Sequence, residues 1–109
     1  MLEETKIKKR VELQEFINFI KEYGKEQIEC TTHTFFRLSE KQRKILTCDE
    51  LRNILTKEKP VLVGLQNNEN YAVFYKYKEK NLKMIIAFND RKVKIVTFYL
   101  IEEWQIPKI

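Results

Sequence analysis

Apolar side chains recur along this chain with two different periods, and the change from one to the other falls near Pro60. Leu13, Phe16, Ile17, Ile20 and Tyr23 follow the three-and-four spacing that gathers side chains into one stripe of a helix. The spacing predicts a helix over residues 3–23, with no Gly or Pro inside it and Gly24 as its terminator. Ile7, Val11 and Phe19 fall off that stripe. They are expected to touch a second surface, either elsewhere in the fold or on a partner chain.

A short extended segment is predicted over residues 28–31. Two capping boxes follow, Ser39-Glu40-Lys41-Gln42 and Thr47-Cys48-Asp49-Glu50. In each, the first hydroxyl and the fourth side chain satisfy free amides at a helix start. One helix is placed near residues 33–44, restarting at Ser39. A second runs over residues 49–58, burying Leu51, Ile54 and Leu55, and Pro60 ends it.

Beyond Pro60 the period becomes two. Residues 61–66 and 71–78 are rich in β-branched and aromatic side chains, with the turn Asn67-Asn68-Glu69-Asn70 between them. Lys80-Asn81 is placed in the next turn. Leu82, Met84, Ile86 and Phe88 then alternate with Lys83, Ile85 and Ala87. Asn89-Asp90 reads as a tight turn before a last strand over residues 93–100. Short connections force antiparallel neighbours. The expected fold is therefore α+β, with N-terminal helices packed on a four-stranded antiparallel β-meander. It forms one domain over residues 1–109, with the first helix in 1–24, the extended segment and helices in 28–59 and the sheet in 60–101. The last two strands are apolar on both faces, so helices are expected over parts of both.

Composition agrees with a single packed core. The chain has 109 residues, 43% hydrophobic and 34% charged, with two Gly and two Pro. That leaves no long flexible linker and argues against global disorder. The charged N-terminus lacks the apolar stretch of a signal peptide. No run approaches the ~20 apolar residues of a membrane span, so a cytoplasmic location is expected. Cys30 and Cys48 form no CxxC motif, and with one histidine they cannot fill a structural zinc site. Two reduced buried thiols are the favoured reading, with a disulfide left open. The net charge is +5, and its placement is uneven. Residues 1–30 carry six basic and seven acidic side chains, whereas residues 31–109 carry fifteen basic and nine acidic. Such a surface draws polyanions by counterion release, although solvated lysines alone give the same count.

Few residues offer chemistry. There is no Gly-rich phosphate loop, no nucleophile elbow and no zinc-helix motif. His33 is the one histidine, and Arg37 stands one helical turn later on the same face. An imidazole exchanges protons near neutral pH, and a guanidinium grips a phosphate with two parallel hydrogen bonds. The pair suits phosphodiester cleavage without metal or cofactor: a base takes the ribose 2′-OH proton and a cation stabilises the pentacoordinate transition state. A lone His followed by an Arg is also common by chance. Thr97 and Tyr99, read as sharing a strand face with Val93 and Ile95, could bind a phosphate or stack a base; simple packing is the alternative. Tyr71, Tyr75, Lys76, Tyr77 and Lys78 resemble a single-strand platform, but a strand with one buried and one solvated face looks the same. That second reading is favoured.

The order of elements resembles the barnase/EndoU/colicin/RelE superfamily of small nucleases. In one branch a short extended segment leads to His-x-x-x-Arg at a helix start, then a second capped helix and a meander. Here the corresponding stretches are Ile28-Glu29-Cys30-Thr31-Thr32-His33-Thr34-Phe35-Phe36-Arg37, Thr47-Cys48-Asp49-Glu50-Leu51, Pro60-Val61-Leu62-Val63-Gly64 and Lys94-Ile95-Val96-Thr97-Phe98-Tyr99. The resemblance implies a metal-independent endoribonuclease of the toxin type. His33, Arg37 and Thr97 would be catalytic, and Lys41, Arg43 and Tyr99 would bind substrate. It also implies RNA and an antitoxin protein as partners; a separate reading is a partner protein of no enzymatic role that forms a homodimer through the first helix. The rival reading is a non-catalytic module that binds nucleic acid or protein.

Overall fold

Strand pairing, not helix, claims Ile7, the first apolar residue among those described. The structure, a computed structural model, describes residues 6–30, 46–89 and 91–108. In chain order these form strand β1 (Ile7–Arg10), helix α1 (Leu13–Ile20), strand β2 (Ile28–Cys30), helix α2 (Cys48–Lys57), and strands β3 (Leu62–Gln66), β4 (Tyr71–Tyr77), β5 (Lys80–Asn89) and β6 (Lys92–Ile101). Single 3-10 turns occupy Lys25–Gln27 and Glu103–Gln105.

The six strands make one sheet in the order β1-β3-β4-β5-β6-β2. This corrects the expected four-stranded antiparallel meander with N-terminal helices. The sheet is mixed, because β2 runs parallel to β6, pairing Ile28 with Val93 and Cys30 with Ile95. The chain is α+β, with two α-helices among the described residues.

The long first helix is also corrected. Ile7 and Val11, which fell off the apolar stripe, lie on the β1 side of the sheet. β1 pairs antiparallel with β3, and the Val11 N–H donates to the Val63 carbonyl at 2.9 Å. β-Branched side chains suit an extended backbone better than a helix. Helix α1 starts only after Glu12, whose carboxylate accepts the Glu15 N–H at 3.0 Å and so satisfies one of the free amides at a helix start. α1 ends at Ile20, and Gly24 has φ −84°, so it is not the left-handed terminator expected. The β4–β5 turn falls on Lys78-Glu79, with Lys78 at φ 55°; Lys80 and Asn81 belong to β5. The predicted helix near residues 33–44 lies outside the described residues.

Helix α2 follows its sequence signals closely. Thr47 and Glu50 form the capping box: the Glu50 N–H donates to Thr47 Oγ1 at 3.2 Å, and the Thr47 N–H donates to Glu50 Oε1 at 2.8 Å. Leu51 and Leu55 are buried and Ile54 is half-buried. Arg52 donates from Nε to the Ile28 carbonyl at 2.6 Å, which ties α2 to β2.

The main core lies on one face of the sheet, here called the inner face. Phe16 and Ile20 of α1 and Leu51 and Leu55 of α2 pack there against Val63, Val73, Tyr75, Leu82, Met84, Ile86, Val93 and Ile95. Each large apolar side chain removed from water contributes about 1.5–3 kcal/mol. Aromatic rings pin α1 to the sheet. Phe19 stacks on Phe88 with centroids 4.5 Å apart, and Tyr23 and Tyr71 lie 5.7 and 5.3 Å from the same ring. The outer face holds a smaller cluster of Leu62, Ala72, Phe74 and Ile85, joined by Ile7, Val96, Ile101 and Ile106. No described helix contributes to it, yet Ala72 and Phe74 are fully buried there.

The two cysteines are not the reduced thiols favoured from the sequence. Cys30 and Cys48 form a disulfide with their Cα atoms 6.1 Å apart. Cys30 shares the inward register of Ile28 and Ile95, and α2 begins at Cys48 on that side of the sheet.

Candidate nucleic-acid interface

Strand β6 changes its inward set partway along. Val93 and Ile95 are fully buried against the helices, with Ile95 paired to Ile86. The next pair joins Thr97 to Ile85, so Val96 is one residue too many and forms a β-bulge. A bulge sets two residues opposite one and shifts the alternation by a step. From there Phe98 points inward, 2% exposed, and Thr97 and Tyr99 point to the outer face. The expectation that Thr97 and Tyr99 share a face with Val93 and Ile95 is therefore corrected. A plain period of two holds only where the ladder is unbroken.

On the outer face Tyr99 stands directly opposite Lys83. The Lys83 ammonium lies 5.8 Å from the centre of the Phe74 ring, within cation–π range. Tyr99 keeps 40% of its surface exposed, and Thr97 is half-buried beside it. Further along, Lys94 pairs with Ala87 and with Glu29 of β2, and Lys92 forms an ion pair with Glu29 at 3.4 Å. At the other end Lys76 approaches Glu103 at 3.8 Å and Lys80 pairs with Glu102 at 2.5 Å, beside the exposed Trp104. Solvated pairs of this kind hold their partners weakly, so a polyanion can compete for the lysines. Together the residues leave one phenol ring, one hydroxyl and several ammonium groups at least partly accessible, around a part of the face where Phe74 and Ala72 are fully buried.

His33, Arg37, Lys41 and Arg43 lie outside the described residues. Among the sequence candidates, the structure brings Thr97 and Tyr99 together on the outer face. It adds Lys83 and Lys94, which the sequence reading passed over. Their signal was present: Lys83 alternates with the buried Leu82 and Met84, and only its cross-strand neighbours show it to be more than a solvated lysine. Tyr75, by contrast, faces the core and is 1% exposed. Burial, with Glu58 nearby, pushes its phenol well above the ordinary range, and its hydroxyl finds no hydrogen-bond partner. Tyr71 and Tyr77 pack beside the same core, but the opposite face of β4 is not the solvated one that the favoured reading expected, because Ala72 and Phe74 are fully buried there. A cavity of about 220 Å³ between α1 and the end of α2 is lined by Phe16, Ile20, Leu55, Glu58 and Pro60, among others; Thr97 and Tyr99 do not border it. No described helix is long and apolar enough to cross a membrane.

The described residues thus define a small α+β domain whose two described helices pack on one side of its sheet, with aromatic and basic side chains on the other. Residues 14–87, from α1 almost to the end of β5, match the MJ0788 family, and the chain belongs to that family. It is similar to the uncharacterized protein MJ0788 of Methanocaldococcus jannaschii, with 29% identity over 77 residues, covering 71% of this chain and 98% of the relative. No solved structure matches the chain significantly.

Proposed function

We propose that this protein binds single-stranded RNA on the outer face of its sheet. The observation that supports the reading is the cross-strand pair of Lys83 and the 40% exposed Tyr99, with Thr97 next to it and Lys94 further along β6. An accessible ring stacks a base whatever its identity, and ammonium groups along the strands follow the phosphates. Sequence tolerance follows, because no rigid donor–acceptor pattern faces outward. The cytoplasm is the location that fits such a ligand.

Cleavage is the second step of the same proposal and is carried by the His-x-x-x-Arg pattern. His33 would take the 2′-OH proton, and the oxygen would attack the adjacent phosphorus; the P–O5′ bond would break as the imidazolium returns that proton to the 5′-oxygen, leaving a 2′,3′-cyclic phosphate and a 5′-hydroxyl. Arg37, with Lys41 or Arg43, would neutralise the pentacoordinate phosphorane, and Thr97 would donate a hydrogen bond to it. The resemblance to the toxin-type nucleases supports this step, and an antitoxin partner with it.

The test is anisotropy of a labelled single-stranded RNA in EDTA, with gel analysis of the same samples. Tyr99→Ala is expected to weaken binding by about 1–3 kcal/mol, the contribution of one stacked base. Lys83→Ala and Lys94→Ala are each expected to flatten the salt dependence by about 0.7 in the logarithmic slope. His33→Ala is expected to abolish cleavage and leave binding intact. Wild-type affinity in Tyr99→Ala rejects the outer face as the binding site. Absence of RNA retention at low salt rejects both steps.

A further inference from the structure

The Cys30–Cys48 bridge joins the last residue of edge strand β2 to the first residue of α2. Both cysteines are half-buried, so reagents reach them. Their environments differ. Cys48 follows the N-cap Thr47 and stands among the free amides of the first turn, where the helix dipole favours an anion. Arg52 is one turn further along the same face. Its guanidinium bonds to the Ile28 carbonyl, two residues before Cys30, so its positive charge sits at the same junction. Asp49 and Glu50 are the opposing charges of that turn: Arg52 holds Asp49 in an ion pair at 2.8 Å, and the Glu50 carboxylate accepts the Thr47 N–H of the cap. Glu29 faces the other side of the sheet with Lys92. Cys30 ends β2, and no described helix starts at it.

We propose that Cys30–Cys48 is a reversible thiol–disulfide site, opened by a dithiol reductant, with Cys30 as the sulfur attacked and Cys48 as the leaving sulfur. The reductant's thiolate forms a bond to Cys30 Sγ as the Cys30–Cys48 bond breaks, and Cys48 departs as a thiolate held by the first turn of α2. The reductant's second thiol then displaces Cys30 and closes its own disulfide. Two protein thiols and one oxidised dithiol result, so electrons and protons balance. The sulfur whose thiolate is better stabilised is the better leaving group, and the first-turn amides of α2 and Arg52 stand at Cys48, which sets the direction of attack. Opening the bond leaves α2 docked, because the Arg52–Ile28 hydrogen bond and the burial of Leu51 and Leu55 do not depend on it. The site is independent of the RNA reading.

The experiment uses the full chain purified without reductant. Its mass is expected to be two hydrogens below that of the dithiol form. A thioredoxin-type dithiol lacking its resolving cysteine should be trapped as a mixed disulfide on Cys30, located by peptide mapping. In the reduced protein at neutral pH, Cys48 should alkylate about three- to fivefold faster than Cys30, and Arg52→Met should bring the two rates together. Circular dichroism of the double variant Cys30→Ser/Cys48→Ser should match wild type, with cooperative unfolding retained. A bond that resists dithiol until denaturant is added marks a purely structural staple and overturns the proposal. So does trapping on Cys48, equal alkylation rates, or a domain that unfolds when the bond opens.

Discussion

Ile95 and Thr97 stand two positions apart in β6 and face opposite sides of the sheet. The Val96 bulge between them is the cause, and it decides which residues are core and which are available to a ligand. Substitutions at the two sites should differ sharply. Ile95→Ala removes a fully buried side chain and is expected to cost about 2–5 kcal/mol. Thr97→Ala is expected to stay within about 0.5 kcal/mol. Urea unfolding of the two variants, compared at constant m-value, measures the contrast. Equal losses would place Thr97 in the core and remove the bulge from the account.

Tyr75 makes stability depend on alkaline pH. Its folded-state pKa lies above the unfolded value of about 10. The neutral phenol is thus favoured by folding, and its contribution is fully present below pH ~10 and is lost as the pH rises through the folded pKa. The Tm should therefore fall on raising the pH above ~10. Tyr75→Phe should reduce that fall. At neutral pH the same variant is expected to be neutral or slightly stabilising, because it removes a buried hydroxyl that has no partner. A large loss at neutral pH in Tyr75→Phe would mean that the hydroxyl is satisfied after all.

Gly64 admits Ile7. A Cβ at Gly64 would come within 2.6 Å of Ile7 Cγ2, so Gly64→Ala should push β1 off the edge of β3. The expected cost is about 1–3 kcal/mol. Ile7→Ala in the same chain should relieve part of it, giving a favourable coupling in a double-mutant cycle. Amide exchange in β3, whose ladder to β1 is the one at stake, reports the displacement directly. Strict additivity of the two substitutions would show that the two side chains do not compete for space.

The α2 cap is testable by a single deletion. Thr47→Ala removes the hydroxyl that accepts the Glu50 N–H and is expected to cost about 1 kcal/mol. For a chain of this size that lowers the Tm by about 4–8 °C. Thr47→Asp keeps an acceptor and should recover most of the loss. A Thr47→Asp variant as unstable as Thr47→Ala would mean that the cap is not what holds this turn.

The elements that could be read from the sequence are those whose signals are local. The Thr47–Glu50 box, the Leu51 and Leu55 stripe and Pro60 all lie within one helix and fix it without reference to the rest of the chain. The strands after Pro60 announced themselves through β-branched and aromatic runs for the same reason. Long-range pairing carries no such mark. Nothing near Ile7 says that β3 has an open edge, so a helical stripe at Leu13 was extended back across a strand. Nothing near Ile28 names Val93 as its parallel partner. The bulge at Val96 is likewise invisible locally, since Val93, Ile95, Thr97 and Tyr99 alternate in sequence as though the ladder were continuous. The site was therefore half legible: Thr97 and Tyr99 stood out by residue type, but their face and their neighbours Lys83 and Lys94 came only with the register.

The strands β1 and β2 both come from early in the chain, yet they close opposite margins of the sheet. During vectorial synthesis β2 leaves the ribosome well before β6, the strand that receives it, and β1 waits for β3. Compaction is thereby tied to the synthesis of β6: a nascent chain that stops short of Val93 presents β2 with no ladder to join. A shortened gene product missing the final strand would offer bare margins to its neighbours and is expected to be cleared or to precipitate, not to persist as a smaller version of the domain.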